Sequence, residues 1–148
     1  MTEKTENLDP KWLGNNTEED EMYKENILDH FKNPRNFGRL KEYTLHNKEH
    51  NPVCGDQIEL FIKLEEDKIK DIKFIGNGCA ISMASISMLT DRIKNMSIED
   101  VKNINKEEIL NMIGIKLGPV RLKCSLLSLK TLLNSIAKME IENEQIRN

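Results

Sequence analysis

A predicted β-hairpin in the middle of the chain constrains the fold more than any other feature of the sequence. In residues 58–64, large apolar residues alternate with residues that are mostly polar, as in a strand with one buried face. Residues 65–68 are charged and predict a turn, and a second strand is predicted over residues 69–74. The alternation slips once at residues 70–71, which predicts a β-bulge. The two strands are therefore expected to pair as an antiparallel hairpin.

Helical patterns lie on both sides of this hairpin. Apolar residues recur at helical spacing over residues 22–32, and Pro34 ends the pattern because the residue before a proline disfavours the helical conformation. The remaining predictions are helices over residues 80–95 and 126–139, two short helices that begin after Ser97 and Asn105, and a short strand near residues 43–45.

Length and charge limit the classes of function. A chain of 148 residues fits one domain, and its net charge of −3 comes from interspersed charges of both signs, without the basic cluster that a nucleic-acid surface needs. No stretch is apolar for long enough to cross a membrane. We expect a disordered or loosely docked tail at residues 1–20, the folded domain at 21–141 and a frayed tail at 142–148. Trp12 and Leu13 would contact the domain surface or dock on a partner.

The N-terminal residues are acidic and contain no apolar run, so they predict neither a secretory signal nor a transit peptide. We therefore expect a cytoplasmic protein, in which thiols stay reduced. The chain has three cysteines, Cys54, Cys79 and Cys124, and an odd number cannot pair off completely within one chain. The cysteines are therefore interpreted as metal or redox groups before disulfides.

Two of the cysteines should meet at the open end of the hairpin. Cys54 lies about a dozen residues before the predicted turn and Cys79 about a dozen after it, so antiparallel pairing places them opposite each other. Adjacent strands lie roughly 5 Å apart, so the two thiols can share one ion. Gly55 lets the side chains of Cys54 and Asp56 turn towards the same point. Cys79 follows a Gly-x-Gly turn at a predicted helix start, where the helix dipole favours the thiolate.

Cys124 is predicted to open the last helix, where the cations Arg121 and Lys123 would also favour a thiolate. The alternative is that each cysteine is buried and inert, as is common in protein cores. A zinc finger is not expected, because the chain has no Cys-x-x-Cys pair. Three converging thiolates would select zinc, iron or an iron–sulfur cluster over magnesium or calcium.

Four local stretches carry a resemblance to known proteins. They are residues 29–36 (Asp-His-Phe-Lys-Asn-Pro-Arg-Asn), residues 51–56 (Asn-Pro-Val-Cys-Gly-Asp), residues 78–85 (Gly-Cys-Ala-Ile-Ser-Met-Ala-Ser) and residues 120–125 (Val-Arg-Leu-Lys-Cys-Ser). Each resembles the corresponding stretch of the IscU, SufU and NifU family of iron–sulfur scaffold proteins. The resemblance extends over most of the chain after its N-terminal tail, and all three cysteines fall within it in the same order.

The resemblance implies an α+β fold: a small antiparallel sheet of about three strands against four or five helices, with the cysteines on loops at one end. It also implies a scaffold that receives sulfur from a cysteine desulfurase, assembles a [2Fe–2S] cluster and transfers it to apo-proteins. By position, Cys54, Cys79 and Cys124 match the cluster ligands, and Asp56 matches an aspartate that tunes release. Tyr23 matches a tyrosine near the start of the family's sequences. A scaffold of this kind is not an enzyme in the strict sense.

Several departures from the family pattern keep a second function open, and a purely structural zinc protein is a third alternative. Lys123 stands where IscU has a histidine, and an ammonium group has no lone pair for a metal, so the expected fourth ligand is Asp56, water or an incoming thiol. The lysine at position 123 is a feature that resembles SufU, and this resemblance implies a zinc-bound sulfurtransferase. The segment between Cys79 and Cys124, however, lacks the insertion that SufU has before its last cysteine. The IscU chaperone site Leu-Pro-Pro-Val-Lys is matched by Leu-Gly-Pro-Val-Arg at residues 117–121.

Among the histidines, only His50 lies close enough to Cys54 in sequence to be considered a ligand. Cys124 is our candidate for the first sulfur acceptor, with Cys54 as the alternative, and we expect a monomer or weak homo-oligomer.

Overall fold

The computed structural model describes residues 18–147. The Trp12-Leu13 pair lies outside the described residues. The elements in chain order are α1 (Glu18–Lys32), β1 (Leu45–His50), β2 (Gln57–Glu65), β3 (Lys68–Asn77), α2 (Ala80–Ile93), α3 (Ile98–Lys102), α4 (Lys106–Ile113) and α5 (Pro119–Arg147). In the described part of the chain, none of these helices is both apolar enough and long enough to cross a bilayer. The expected α+β fold, with a three-stranded antiparallel sheet and five helices, is confirmed.

The predicted hairpin is formed by β2 and β3. Pairing begins with Glu65 opposite Lys68 at the turn and ends with Gln57 opposite Asn77 at the open end. The two turn residues, Glu66 and Asp67, both have positive φ angles, of 55° and 60°. Two such residues make the tight turn whose twist matches that of the flanking strands.

The predicted bulge in this hairpin is also confirmed. Lys63 pairs with Asp71 and Leu64 pairs with Ile69, so Lys70 is the additional residue on β3. An added residue restores the alternation of buried side chains after it. It therefore keeps Ile72 on the core side of the sheet, where its side chain is fully buried.

The third strand, β1, starts later than predicted. The pattern at residues 43–45 overlaps it only at Leu45, whose partner on β2 is Ile62. The remaining residues of β1 are polar, so the strand has no alternating apolar signal that the sequence could show. Edge pairing with β2 forms this strand, and such pairing depends on residues distant in sequence.

The helices cover one face of the sheet and enclose the core. The buried apolar residues of the sheet include Ile58, Leu60, Ile62, Ile72 and Phe74, and they pack with apolar residues of α2 and α5. Helix α2 is buried along nearly its whole length, including its serines. These hydroxyls have partners inside the helix or next to it: Ser85 Oγ donates to the carbonyl of Ile81 at 2.7 Å, whereas Ser87 Oγ accepts the N–H of Arg35 at 2.8 Å. Small polar residues can therefore occupy a core helix without an unpaired polar group.

The caps of the two short helices are as predicted. Ser97 Oγ accepts the N–H of Asp100 at the start of α3, and Asn105 Oδ1 accepts the N–H of Glu108 at the start of α4. Helix α4 ends at Gly114, whose φ of 75° favours glycine. The ring of Tyr23 occupies the space into which a Cβ at Gly114 would project. The two features explain why glycine stands at this position.

Two helix boundaries differ from the sequence prediction. Helix α1 begins at Glu18 rather than near Met22, and α5 runs from Pro119 to Arg147 rather than over residues 126–139. Proline at the first helical position has a φ suited to the helix and lacks only an N–H that would have no helical partner. No glycine or proline follows Pro119, so the backbone stays helical after the apolar pattern ends. Helical backbone therefore extends into the segment expected to be a frayed tail.

Candidate metal centre

The connection between β1 and β2 holds Cys54 and Asp56 in a closed loop. The N–H of Asn51 donates to the carbonyl of Asp56 at 2.8 Å, and the N–H of Gly55 donates to the carbonyl of Asn51 at 2.7 Å. Asn51 Oδ1 accepts the N–H of Val53 at 3.0 Å. Gly55 has a φ of 76°, a conformation that glycine adopts without steric penalty. The loop therefore presents the thiol of Cys54 and the carboxylate of Asp56 on the same side, as the Cys-Gly-Asp sequence predicted.

Cys79 is the residue that precedes α2, and its own side chain does not cap the helix. Its backbone N–H instead donates to Asp56 Oδ1 at 3.1 Å. A carboxylate at this position satisfies an unpaired N–H group and interacts favourably with the helix dipole. Asp56, which is 3% exposed, therefore connects the β1–β2 loop with the first turn of α2.

The backbone of Gly78 lies directly beside this carboxylate. A Cβ at Gly78 would stand 2.8 Å from Asp56 Oδ1 and 2.6 Å from Ser82 Oγ. Both distances are shorter than real Cβ contacts, so a larger residue would displace one of the two side chains. Glycine at position 78 therefore permits the close packing of the loop, the turn and the helix.

Cys124 does not open the last helix, contrary to the sequence prediction. Helix α5 begins five residues earlier at Pro119, because that proline and not the apolar pattern sets its start. Cys124 therefore lies in the second turn of a helix rather than on a loop. Its side chain is 2% exposed, and its Sγ is 3.1 Å from the Sγ of Cys54.

The four predicted site residues meet at one place. Asp56 Oδ2 accepts a hydrogen bond from Cys54 Sγ at 3.1 Å and another from Cys79 Sγ at 3.5 Å. One donor atom from each of Cys54, Asp56 and Cys124 lies within 4.8 Å of the other two. Cys79 borders this group through its contact with Asp56. The prediction that Cys54 and Cys79 face each other at the open end of the hairpin agrees with this geometry.

The titratable groups influence one another strongly. Burial alone would raise the pKa of Asp56, but hydrogen bonds from Cys54, Cys124, the Cys79 backbone and Ser82 hold it below its usual range. Burial raises the pKa of the Cys124 thiol, and the neighbouring Cys54 thiol and Asp56 carboxylate raise it further. The expectation that nearby cations favour the Cys124 thiolate is therefore wrong for the metal-free protein. Arg121 and Lys123 are exposed, whereas the sulfur of Cys124 faces a carboxylate in a buried position.

The donor set suits a soft or borderline metal. Three sulfur atoms and one carboxylate are ligands that zinc and iron accept, and they exclude neither a mononuclear ion nor a cluster. A bound cation would also reverse the local electrostatics, because coordination removes the proton of a thiol. Cys54 is the exposed member of the set, while Cys79 is half-buried and Cys124 is buried. Access from solvent to the centre is therefore on the Cys54 side.

None of the three histidines belongs to this donor group in the described chain. His30 Nδ1 is 2.7 Å from Ser87 Oγ, and His46 Nε2 is 2.7 Å from Glu59 Oε2. His50 lines a surface cavity of about 250 Å³ together with Lys123 and Lys130. Among the described side chains, the oxygen donor that lies beside Cys54 and Cys124 is the carboxylate of Asp56.

Two residues of the site were not identified from the sequence. Asn51 shapes the Cys54 loop, and Ser82 places a buried hydroxyl 3.8 Å from the Sγ of Cys79. Asn51 could have been suspected, because asparagine side chains often bond the backbone two residues further on. Ser82 stands three residues after Cys79, where a side chain returns to the first turn of a helix, but serine is too common for that spacing to single it out.

Comparisons with known proteins agree with this geometry. The family model described as NifU-like N terminal domain matches residues 22–145. The zinc-dependent sulfurtransferase SufU of Bacillus subtilis is 39% identical over 138 residues, which cover 82% of this chain and 93% of that protein. The iron–sulfur cluster assembly scaffold protein IscU 1 of Archaeoglobus fulgidus is 34% identical over 125 residues, which cover 84% of this chain and 81% of that protein.

A solved structure of a similar protein agrees with these sequence comparisons. The crystal structure of a putative iron–sulfur cluster assembly scaffold protein for the SUF system, from Fervidobacterium islandicum, has a TM-score of 0.64 and 30% sequence identity to this chain. The match covers 75% of this chain and 93% of that one. With its three cysteines and Asp56 brought together at one end of the sheet, the chain belongs to the NifU-like N terminal domain family, which also includes the IscU and SufU proteins.

Proposed function

We propose that this protein is a scaffold for iron–sulfur cluster assembly, which receives sulfur from a cysteine desulfurase, assembles a [2Fe–2S] cluster and transfers it to apo-proteins. The observation that carries the proposal is the grouping of the thiols of Cys54 and Cys124 with the carboxylate of Asp56, which the thiol of Cys79 also contacts, at a site with one exposed edge. Relatives named as IscU scaffolds, which the chain matches over most of its length, support the same function.

We assign each of the four side chains a role that follows from its position in the site. The thiols of Cys54, Cys79 and Cys124 would hold the cluster, which is the cargo of the protein. Asp56 would complete the set with a harder oxygen ligand, which binds iron less firmly than a thiolate does. Because the N–H of Cys79 already engages Asp56 Oδ1, this carboxylate remains oriented when its other oxygen binds or releases a metal. An exposed Cys54 gives partners access to the site. We propose that this work takes place in the cytoplasm, without nucleic acid or membrane partners.

A second candidate function is a zinc-dependent sulfurtransferase that accepts persulfide sulfur from a cysteine desulfurase. Two observations favour it: the relative named as a zinc-dependent sulfurtransferase is 39% identical, and Lys123 cannot serve as a ligand while its ammonium is protonated. The same donor set would then hold a resident Zn²⁺, for which three sulfurs and one oxygen supply four ligands.

The two functions differ in what the site holds after sulfur arrives. The protein is purified anaerobically, incubated with a cysteine desulfurase, ferrous iron and excess cysteine, whose thiols also supply the electrons that reduce persulfide sulfur to sulfide, and analysed for iron, acid-labile sulfide, zinc and visible absorption. A scaffold gains iron and sulfide in equal amounts and passes them to an apo-ferredoxin. A protein that retains zinc and gains sulfane sulfur without iron is a sulfurtransferase. Cys→Ser variants at the three positions should each abolish cluster formation, and a variant that forms a normal cluster would remove that cysteine from the ligand set.

A further inference from the structure

Ser82 lies in the first turn of α2 and has no exposed surface. Its Oγ is 3.8 Å from the Sγ of Cys79 and 3.3 Å from the carbonyl oxygen of Cys79. The carboxylate of Asp56 lies on the same side, because a Cβ at Gly78 would stand 2.6 Å from Ser82 Oγ and 2.8 Å from Asp56 Oδ1. A single buried hydroxyl therefore borders both a thiol and the carboxylate of the metal centre.

Few protons are available to this arrangement in the metal-free protein. The single S–H of Cys79 can donate either to Asp56 Oδ2 at 3.5 Å or to Ser82 Oγ at 3.8 Å, and the O–H of Ser82 donates to the carbonyl oxygen of Cys79 at 3.3 Å. A serine hydroxyl has one proton and two acceptor lone pairs, and its proton rotates to suit its neighbours. Ser82 is therefore an acceptor towards Cys79 while that residue is a thiol.

Metal binding changes the hydrogen balance at this contact. A metal ligand must be a thiolate, so Cys79 releases its proton to solvent when it binds a metal. The contact between the two side chains then contains only the hydroxyl proton of Ser82. Rotation about the Cβ–Oγ bond can bring this proton to the sulfur, and no heavy atom needs to move.

We propose that Ser82 is a positioning residue of the metal centre, whose hydroxyl donates a hydrogen bond to the metal-bound sulfur of Cys79. The inference rests on the proposed function to the extent that Cys79 is a ligand. Groups around first ligands usually fix ligand orientation and tune the metal, and their loss typically lowers metal affinity about 10- to 100-fold. Ser82 has the burial and the contacts that such a role requires.

A hydrogen bond to a thiolate also has an electronic effect. It withdraws electron density from the sulfur, so that the sulfur donates less charge to the metal. Loss of the bond from Ser82 should therefore move the sulfur-to-metal charge-transfer absorption to lower energy and, for a bound cluster, make reduction harder. Neither effect follows from a change in core packing alone.

The test compares Ser82→Ala with Ser85→Ala in the full chain. Ser85 is an equally buried serine of the same helix, and its hydroxyl donates to the carbonyl of Ile81 rather than to the metal centre. Both variants and the parent are loaded with Co²⁺ for absorption spectroscopy and with Zn²⁺ for competition against a chelator. The thermal unfolding of the metal-free proteins is measured alongside, and Ser82→Thr tests rescue by another hydroxyl.

We expect Ser82→Ala to shift the charge-transfer band of Co²⁺ to lower energy and to weaken Zn²⁺ retention about 10- to 100-fold, with Ser85→Ala close to the parent in both. Return of the band in Ser82→Thr would support the hydroxyl as its cause. Equal spectra and equal Zn²⁺ retention in the two alanine variants would overturn the role of Ser82. If the parent itself binds neither ion through its thiols, the proposed function fails instead, so that the two failures are distinguishable.

Discussion

The backbone N–H of Cys79 donates to Oδ1 of Asp56 at 3.1 Å, and this bond joins the β1–β2 loop to the first turn of α2. It uses one carboxylate oxygen for structure and leaves Oδ2 towards the thiols of Cys54 and Cys79. Asp56 is therefore both part of the fold and part of the proposed ligand set, and a change at this residue should affect the site more than the core.

Replacement of Asp56 by alanine should give a scaffold that holds its cluster longer and transfers it more slowly. A carboxylate is a harder and more labile ligand than a thiolate, so a site without it should release its cluster less readily. The measurement is the rate of cluster transfer to an apo-ferredoxin, with Asp91→Ala, an exposed aspartate of α2, as the control. Transfer from Asp56→Ala at the parent's rate would mean that Asp56 has no role in release.

A methyl group at Gly78 should damage the site directly. The new Cβ would stand within 3 Å of both Asp56 Oδ1 and Ser82 Oγ, so the carboxylate must move out of its ligand orientation. We expect Gly78→Ala to lose about 10- to 100-fold in Zn²⁺ retention and about 1–3 kcal/mol in stability. Gly118→Ala is the matched control, because a Cβ there has no neighbour within 4 Å. Equal metal retention in the two variants would show that the contact at Gly78 is not needed.

The sequence predicted those parts of the fold that depend on neighbouring residues. Alternation placed the hairpin, a slip at Lys70 placed its bulge, and Ser97 and Asn105 identified two helix starts. The position of β1 could not be predicted, because pairing with β2 rather than any pattern of its own determines it. The sequence therefore predicts an element correctly where residues close together in the chain determine it, and fails where pairing with a distant segment determines it.

The same distinction applies to the candidate site. The register of the hairpin predicted that Cys54 and Cys79 lie close together. The Cys-Gly-Asp sequence predicted that the thiol of Cys54 and the carboxylate of Asp56 point to the same side of the loop. The burial of Cys124 could not be predicted, because it depends on how α5 packs against the rest of the domain. The neighbouring cations therefore predicted a lowered pKa for Cys124, whereas burial raises the pKa of this thiol.

The stability of the metal-free protein should fall as the pH drops below about 6.5 because of His30. Burial lowers the pKa of His30 in the folded state, and the nearby Arg35 guanidinium lowers it further. The unfolded chain therefore binds a proton at a higher pH than the folded chain does. Stability is fully present above the unfolded pKa and is lost as the pH falls from there towards the folded pKa.

His30→Asn should remove this dependence, because an amide oxygen can replace Nδ1 as the partner of Ser87 without titrating. The measurement is the denaturant midpoint of both proteins, with a chelator present, between about pH 7.5 and about pH 5.5. We expect the parent to lose more stability than the variant over this interval. The same loss in both proteins would assign the dependence to other groups.

The last prediction separates the two proposed functions through the first sulfur acceptor, which we expect to be Cys124 in a scaffold and Cys54 in a sulfurtransferase. Sulfur moves when an acceptor thiolate attacks the terminal sulfur of the desulfurase persulfide and releases the desulfurase thiolate. Cys54 is exposed and can be reached directly. Cys124 is buried, and burial raises its pKa, so its reaction requires the start of α5 to move outward or a bound metal to favour the thiolate.

The experiment loads each single Cys→Ser variant with a desulfurase and cysteine and locates the persulfide by peptide mass, in the presence and absence of iron. Alkylation of the metal-free parent by a small reagent provides the control for access, since Cys54 should react faster than Cys124. Persulfide on Cys124 that disappears in Cys124→Ser supports the scaffold, because the sulfur is then delivered among the ligands. If sulfur loads normally on Cys124→Ser but not on Cys54→Ser, the exposed thiol is the acceptor. The zinc-dependent sulfurtransferase then becomes the better account of this site.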